Sequence, residues 1–319
     1  MKDKKQIEEQ HTLFFKGLEW KQNGNYKEAE YYYNQAIELG ESDLLAKIYY
    51  NKGVLLDQHL DNKKEALTYY QKAISINPDY QIAWNNMGTI LLDFHQYKKA
   101  LDAFEKAVAL EPREIFSLVN KAYAQNRLAL FKESLPILQS LLNREEEVQE
   151  KLQDKLFLLY SELGLALLYN QKIKESIPYF EKAIELNKKD YQAYYNLGFI
   201  FDMLREYEKA ITFYDKAIEI DPNDRSSYQG KGCTYIHTKE FNKALPLIQK
   251  SIELDSSNFE GYYNLACIYA GLQEKENMIA ALKRTIELAP TQLNIKNHLK
   301  NDKDFSTYAT DPLFIELMN

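Results

Sequence analysis

The sequence predicts an all-α fold, an α-solenoid built from antiparallel helix pairs, and three observations lead to this prediction. A pattern of about 34 residues returns along most of the 319-residue chain, and a fixed period of this length is typical of stacked helical units. Within the pattern, small and large apolar residues recur at helical spacing. Glycine and proline are scarce, at 11 and 8 residues, which favours helices over a turn-rich β fold.

The repeat frame is clearest in residues 191–224, YQAYYNLGFIFDMLREYEKAITFYDKAIEIDPND, with Tyr191 as position 1. The same frame, with small insertions in the first two copies, gives eight repeats. They begin at residues 10, 46, 81, 115, 157, 191, 225 and 259. Residues 1–9 are then an N-terminal extension, and the array ends at residue 290.

Position 8 of the frame is occupied by a small residue in every repeat. Glycine inside a helix costs about 0.5–1 kcal/mol relative to alanine, so another requirement has to select it. We expect that requirement to be the close approach of a second helix. The position-8 residues are Gly17, Gly53, Gly88, Ala122, Gly164, Gly198, Gly232 and Ala266.

Two apolar faces divide each repeat into two helices. Positions 4, 7, 8 and 11 share one helical face, and positions 20, 24 and 27 share the face of a second helix. Each repeat is therefore a helical hairpin whose second helix ends before prolines such as Pro78 and Pro222. Position 22 holds Pro136, Pro178 and Pro246. We predict that these lie early in the second helix, where the missing N–H has no intrahelical acceptor.

Two segments fall outside the regular frame. The step from the fourth to the fifth repeat is 42 residues, and residues 143–156, NREEEVQEKLQDKL, have a composition that predicts a longer helical insertion. Residues 291–319 are expected to form capping helices, because a terminal repeat has to cover its apolar edge. The side chains expected to turn inward there are Ile295, Leu299, Leu313, Phe314 and Leu317.

The whole pattern resembles the tetratricopeptide repeat, from about residue 10 to residue 290. The resemblance rests on small residues at positions 8, 20 and 27, aromatic residues at 4, 11 and 24, and proline at 32. It implies a right-handed superhelix whose first helices line a concave groove. It also implies a noncatalytic scaffold for protein–protein interaction, in which position-6 asparagines grip the main chain of a bound peptide. The DKDF…DPLF tail is similar to those of many bacterial members.

Positions 2, 5, 6, 9 and 13 form a second face of each first helix. An ordinary solvated face carries Lys and Glu, as the second helices do with Glu208 and Lys209, but this face is mostly aromatic or amide. Tyrosine offers a rigid contact surface and asparagine both donates and accepts hydrogen bonds. We therefore predict that this face binds a protein or peptide, as an extended segment or as a helix. The predicted binding residues are Tyr50, Asn51, Asn85, Asn86, Asn120, Tyr123, Tyr195, Asn196, Phe199, Tyr263 and Asn264.

Two other functions are also compatible with this sequence. Structural self-association into a homo-oligomer is the main alternative. A metal-dependent regulator at Cys233, His237 and Cys267 ranks well below it, since a clear fourth ligand is missing from the pattern. The sequence has no glycine-rich phosphate loop, HExxH or nucleophile elbow. We therefore expect no enzyme activity, no cofactor and no metal.

Charge and hydropathy limit the partner classes further. A net charge of −7 argues against a nucleic-acid partner, because such proteins usually concentrate basic charge. The sequence has no apolar stretch of membrane-spanning or signal-peptide length. Two cysteines do not make a disulfide framework. We expect a cytoplasmic protein without membrane insertion.

Overall fold

The computed structural model describes residues 4–290 and 293–319 of the chain. These residues are organised as α-helices joined by short loops, and no β-strand occurs among them. The chain consists of two compact units, of which the N-terminal unit ends at Asn170 and the C-terminal unit begins at Gln171. The all-α solenoid class predicted from the sequence is confirmed.

Ten α-helices and a short 3-10 turn (Gln153–Lys155) make up the N-terminal unit as described. The helices are α1 (Lys4–Gln22), α2 (Tyr26–Glu38), α3 (Leu45–Gln58), α4 (Lys63–Ile76), α5 (Gln81–Asp93), α6 (Tyr97–Leu110), α7 (Ile115–Arg127), α8 (Phe131–Leu142), α9 (Glu145–Leu152) and α10 (Leu156–Tyr169).

The described part of the C-terminal unit contains nine α-helices and a second 3-10 turn (Lys303–Tyr308). The helices are α11 (Ile173–Leu186), α12 (Tyr191–Met203), α13 (Tyr207–Ile220), α14 (Arg225–His237), α15 (Phe241–Leu254), α16 (Phe259–Gly271), α17 (Lys275–Leu288), α18 (Ile295–Asn301) and α19 (Pro312–Met318).

Helices that follow one another within a repeat pack as hairpins. The pairs are α1/α2, α3/α4, α5/α6 and α7/α8 in the N-terminal unit, and α12/α13, α14/α15 and α16/α17 in the C-terminal unit. The first helices of neighbouring repeats also touch, as α5 does with α7 and α12 with α14. Equivalent positions on these neighbouring first helices therefore lie side by side.

An aromatic ring packs against the position-8 glycine in several hairpins. A Cβ added at Gly88 would lie 2.6 Å from Cε1 of Phe104, and one added at Gly53 would lie 2.8 Å from Cε1 of Tyr70. Both rings are fully buried. Position 8 is thus small because a ring on the second helix occupies the space. The expected cause, close approach of the helix backbone itself, is replaced by this side-chain contact.

In most repeats glycine at position 8 goes with an aromatic residue at position 24, although Gly232 faces Ile248. The hairpins with Gly17, Gly53, Gly88 and Gly198 carry an aromatic ring there, whereas Ala266 is followed in frame by Leu282. Ala266 and Leu282 are both fully buried in one apolar cluster. A methyl group on the first helix is therefore accommodated where the opposing side chain is smaller.

The turn after each first helix contains one residue with a left-handed backbone conformation. In the first repeat this residue is Gly24, with φ of 76°. In the other repeats the φ values lie between 49° and 64° at non-glycine residues, where an L side chain adds strain. These residues are Asp61, His95, Ala129, Gln171, Arg205, Lys239 and Gln273.

Substitution of Ala129 by glycine is expected to stabilise the N-terminal unit by about 0.5–1 kcal/mol, because glycine adopts this conformation without the Cβ penalty. Urea unfolding followed by circular dichroism measures the change. The matched control is Ala280→Gly at an exposed position within α17, where the same chemical change should destabilise by about 0.5–1 kcal/mol. Equal signs for the two variants would contradict the assignment of strain to the turn.

The three prolines at position 22 lie deeper in their helices than predicted. Pro136 is the sixth residue of α8, and Pro178 and Pro246 occupy the same place in α11 and α15. At that depth each proline removes an intrahelical hydrogen bond to the carbonyl four residues earlier. Those carbonyls belong to Lys132, Lys174 and Asn242, which are exposed, so water is available to them.

The segments outside the regular repeats are largely helical. Residues 4–9 continue directly into α1, and residues 1–3 lie outside the described residues. Within 143–156 the chain forms the separate short helix α9 and a 3-10 turn, with Val148 and Leu152 buried. The limits of the eight repeats and of both terminal segments remain a prediction.

The C-terminal cap, residues 295–319, covers the apolar edge of α16 and α17. Ile295, Leu299 and Phe314 are buried there as expected, whereas Leu313 is 46% exposed, so the inward placement predicted for it is wrong. The reason is the start of α19 at Pro312, which turns the face centred on Phe314 and Met318 inward. Leu317 is partly buried. Thr291 and Gln292 lie outside the described residues.

Candidate functional site

All eleven predicted binding residues lie on first helices and are partly exposed. Those of the N-terminal unit form what we call the N-terminal face, and those of the C-terminal unit form the C-terminal face. Tyr50 and Asn51 are on α3, Asn85 and Asn86 on α5, Asn120 and Tyr123 on α7, Tyr195, Asn196 and Phe199 on α12, and Tyr263 and Asn264 on α16. Their part in binding stays a prediction.

Side-chain amides connect α5 to α7 on the N-terminal face. Asn120 Nδ2 donates to Asn85 Oδ1 at 3.2 Å, and the Ser117 hydroxyl donates to the same oxygen at 3.2 Å. Gln81 Nε2 in turn donates to Ser117 Oγ at 2.8 Å. These amides are therefore oriented by one another, and Asn85 Oδ1 is used within the protein.

Tyr50 and the asparagines near it have partners of different kinds. The Tyr50 ring lies 5.0 Å from that of Tyr80, and burial raises the pKa of its hydroxyl while the hydrogen bond with Asn86 opposes the shift. Asn86 Nδ2 is 3.4 Å from that hydroxyl, a long hydrogen bond. Asn51 Nδ2 instead donates to the Lys47 carbonyl of its own helix at 2.9 Å. The position-6 asparagines thus do not share one hydrogen-bonding arrangement.

Glu162 holds position 6 of the fifth repeat, where the asparagine series is interrupted. Its side chain is buried, and its Oε2 accepts a hydrogen bond from Asn126 Nδ2 at 2.7 Å. Its Oε1 forms an ion pair with Arg127, whose guanidinium lies 4.5 Å from the Tyr123 ring centre. Glu162 therefore joins α10 to α7 and supports Tyr123 through Arg127.

A pocket of about 370 Å³ opens on the C-terminal face between α12, α14 and α16. We call it the C-terminal pocket. One wall contains Tyr195 and Phe199, which lie one helical turn apart on α12. Gly230 stands at position 6 of α14, and a Cβ there would lie 2.6 Å from the Tyr214 ring. The neighbouring repeats carry Asn196 and Asn264 at this position, and the missing side chain at Gly230 was the only signal in the sequence that pointed to this part of the face.

The polar lining of the C-terminal pocket includes Asp202, Arg225, Gln229, His237 and Glu260. His237 Nδ1 lies 3.1 Å from Asp202 Oδ1, and this hydrogen bond raises the pKa of the imidazole. The sequence analysis did not single out the carboxylates of Asp202 and Glu260, because they are on different helices and form no local motif.

The C-terminal cap engages Tyr263 directly. Its hydroxyl donates to Asp302 Oδ2 at 2.5 Å, and its ring meets that of Phe305 edge to face at 6.3 Å. Burial is the largest cause that raises the pKa of Tyr263. This tyrosine therefore fixes the cap on α16 as well as bordering the C-terminal face.

The two cysteines are free, with Cys233 partly buried and Cys267 buried. Burial, with Asp202 and Glu260 nearby, raises the pKa of the Cys233 thiol to about 12. Burial also raises the pKa of Cys267, and Asp304 and Asp302 add to the effect. Among residues 4–290 and 293–319, no group of three or more His, Cys, Asp or Glu side chains is placed to hold a metal ion.

Both thiols are expected to react slowly with iodoacetamide at pH 8, at least about tenfold slower than in the urea-unfolded chain, because the thiolate is scarce in the folded state. Mass spectrometry of alkylated peptides measures each cysteine separately. Equal rates for Cys233 in folded and unfolded protein would contradict the raised pKa. The unfolded chain serves as the control for reagent quality.

Comparisons with known proteins identify the repeats. Two models of the tetratricopeptide repeat together match more than half of the chain. One matches residues 82–114 and 191–224, and the other matches residues 11–42, 46–80, 158–190, 226–258 and 259–292. Among the helices of residues 4–290 and 293–319, none combines the length and the hydropathy that a membrane-spanning segment requires.

Individual relatives match part of the chain. It is 33% identical over 101 residues to Tetratricopeptide repeat protein 6 of Homo sapiens, covering 32% of this chain and 19% of that protein. It is 26% identical over 86 residues to the Peroxisomal targeting signal receptor of Saccharomyces cerevisiae, covering 27% of this chain and 14% of that protein. The chain therefore spans about a fifth or less of the length of these two relatives.

A solved structure extends the comparison over nearly the whole chain. The structure of the APC/C hetero-tetramer Cut9–Hcn1 contains a chain with a TM-score of 0.63 and 14% identity, covering 92% of this chain and 53% of that one. This likeness shows the fold alone. With the repeats matched along the sequence and helix pairs in the structure, this chain belongs to the tetratricopeptide repeat family.

Proposed function

We propose that this chain is a noncatalytic scaffold that binds a segment of a partner protein on the first helices of its repeats. The proposal places the contacts on the N-terminal and C-terminal faces and the protein in the cytoplasm. The two free cysteines agree with a reducing compartment.

The observation that carries the proposal is the composition and partial exposure of these faces. Eleven aromatic or amide side chains on α3, α5, α7, α12 and α16 are all partly exposed. From the second repeat onward, exposed Lys and Glu are instead concentrated on second helices, as in the i,i+3 pairs Lys182–Glu185 and Lys216–Glu219. Aromatic residues are enriched where proteins bind other proteins, and an amide pairs with a peptide main chain through both its donor and its acceptor.

The relatives support a binding role. Repeats of this family generally mediate protein–protein interaction, and one matched relative is named a receptor for a peroxisomal targeting signal. No catalytic family is among the models that match.

The test is selection of peptides from a random phage-displayed library on the immobilised full chain. The face variant combines Asn86→Ala, Asn120→Ala and Asn196→Ala. The matched control combines Gln71→Ala, Gln139→Ala and Gln249→Ala, three exposed amides on second helices. We expect the wild type and the control to select the same peptides and the face variant to lose them, with circular dichroism showing equal helix content.

Two outcomes would contradict the proposal. Selection of the same peptides by the face variant would remove these amides from binding, and the absence of any enriched peptide on wild type would remove peptide binding. Light scattering across a concentration series runs in parallel, because growth of the particle mass would favour the self-association alternative.

A further inference from the structure

We propose that the C-terminal pocket holds one basic side chain, an arginine or a lysine, of the peptide segment that binds the C-terminal face. This inference rests on the proposed function and specifies the chemistry of the bound residue. It is drawn from the shape of the pocket, its aromatic wall and the balance of charges in its lining.

The pocket has the dimensions of a site for one long side chain. Its volume of about 370 Å³ lies near the lower end of the range for small-ligand pockets, roughly 300–1,000 Å³. Gly230 is part of the lining and stands where α12 and α16 carry Asn196 and Asn264. The buried Tyr214 ring lies beneath Gly230 and forms part of the lining.

The aromatic wall suits a cation. Tyr195 and Phe199 lie one turn apart on α12, and both are partly exposed. The Tyr195 ring is positioned by Tyr214, with ring centres 5.9 Å apart. A guanidinium or ammonium within about 6 Å of such a ring face gains about 0.5–1 kcal/mol at an exposed site. The methylene groups of a long basic side chain would also cover apolar surface on this wall.

The charged residues of the lining leave negative charge for an incoming cation. Arg225 is directed to partners of its own: its Nε lies 3.8 Å from Asp255 Oδ2, and its Nη1 donates to Gln229 Oε1 at 3.1 Å. The carboxylates of the lining are Asp202 and Glu260, of which Glu260 also accepts a hydrogen bond from Gln229 Nε2 at 3.3 Å, and they are opposed by Arg225 and, when protonated, His237. Once His237 is neutral, the two carboxylates give the pocket a net negative charge.

The pKa of Cys233, which lines the pocket, responds to that negative charge. Burial is the largest cause that raises the pKa of Cys233, and the carboxylates of Asp202 and Glu260 add to the shift. Carboxylates on two separate helices, α12 and α16, therefore make the electrostatic potential negative at the same point of the lining. An acidic side chain of a partner would meet this potential unfavourably, and a neutral one would leave the carboxylates without a cation.

The first experiment uses a small probe, N-acetyl-arginine N-methylamide, with the citrulline analogue as its neutral isostere. Both are titrated into the isotopically labelled full chain and followed by NMR. We expect saturable shifts at the amides of Gln229, Gly230 and Cys233 with the arginine probe, and binding about tenfold weaker with citrulline, since the charge pair and cation–π contact are lost.

Two carboxylate variants and a control assign the effect to the pocket. Asp202→Asn and Glu260→Gln are each expected to reduce the preference for arginine over citrulline severalfold. Glu219→Gln, which removes an exposed carboxylate on α13, should leave it unchanged. Two separate variants are used because Asp202 also holds His237. Equal binding of the two probes to the wild type, or an unchanged preference in both variants, would overturn the inference.

A pH series adds a second readout. His237 is faced by Asp202 from α12 and by Asp304 from the second 3-10 turn, with Arg205 and the Tyr207 ring nearby. The bond to Asp202 raises its pKa, so protonated His237 competes for Asp202 as the pH falls through that pKa. We expect arginine binding to weaken from pH 8 to pH 5.5, and binding that is constant or stronger at low pH would count against the pocket.

The peptide library separates failure of this inference from failure of the proposed function. Peptides enriched in arginine or lysine at one position by the wild type, with that enrichment lost in Glu260→Gln, support the inference. Enriched peptides without a basic position would overturn it while leaving the scaffold function in place. No enriched peptide, together with saturable arginine binding by NMR, would retain the pocket and remove the scaffold function.

Discussion

Replacement of Glu162 by leucine is expected to destabilise the N-terminal unit by about 3 kcal/mol, because removal of one partner leaves the other charge without compensation in a largely desolvated site. The glutamate side chain is 5% exposed and that of Arg127 is 25% exposed. Asn126 would also lose the carboxylate that accepts its amide hydrogen. Urea unfolding measures the loss, and hydrogen exchange of α7 and α10 locates it.

Two further variants define the origin of the Glu162 effect. Glu175→Gln disrupts an exposed ion pair with Lys172 and should change the stability by less than about 0.5 kcal/mol. The double variant Arg127→Met, Glu162→Leu should recover part of the loss, since apolar residues of similar volume often replace a buried ion pair without cost. A loss no larger than that of Glu175→Gln would show that the buried pair contributes no stability.

Substitution of Gly88 by alanine is expected to destabilise the α5/α6 hairpin by about 1–2 kcal/mol in total. This net loss is expected although alanine is the better helix former by about 0.5–1 kcal/mol. The added methyl group would approach Cε1 of Phe104 to 2.6 Å, and that ring is fully buried. Overpacking of this kind costs about 1–3 kcal/mol. The free energy of unfolding in urea gives the net value.

A double-mutant cycle tests the cause directly. In the Phe104→Leu background, Gly88→Ala should be neutral or stabilising, since the chain itself combines Ala266 with Leu282 at the same two positions. The coupling between the two substitutions should therefore reach about 1–2 kcal/mol. Additive effects would show that the ring is not what keeps position 8 small.

The helix pairs could be predicted because they follow from periodicity within each repeat. Small residues at position 8 and apolar residues one turn apart define the first helix wherever they occur. The same reasoning located all eleven face residues on first helices with partial exposure. Their interactions were not predictable, because Asn120 bonds to Asn85 across 35 residues of sequence.

The partners of buried charged residues could not be predicted from the sequence. Lys52 holds position 7 of its repeat, where the repeat of residues 191–224 carries Leu197, and its buried ammonium bonds to Asn34 Oδ1 at 2.5 Å and Tyr69 Oη at 2.8 Å. Neither partner is close to it in sequence. Glu162 is similar, since its partners Asn126 and Arg127 belong to another repeat. A charged residue inside an apolar frame signals a partner in space without identifying it.

The first residue of a helix was a second feature that could not be predicted reliably from the sequence. The prolines at position 22 were placed too early in their helices, because the sequence of α8 has no cap side chain to mark Phe131 as its first residue. Leu313 was wrongly placed inward beside Phe314. Adjacent residues point about 100° apart around a helix axis, and the buried face of α19 is the one that contains Phe314 and Met318.

The cap determines where this chain could be lengthened by protein engineering. Leu299, Phe305 and Phe314 occupy the apolar surface beside α16 and α17 that an added hairpin would need, and the Tyr263 and Lys275 side chains bond to Asp302 and Asp311 of the cap. A hairpin fused after Asn319 would therefore not reach the apolar surface of α16 and α17. Insertion of new hairpins has to be made between existing ones, or the cap has to be transferred to the new last hairpin.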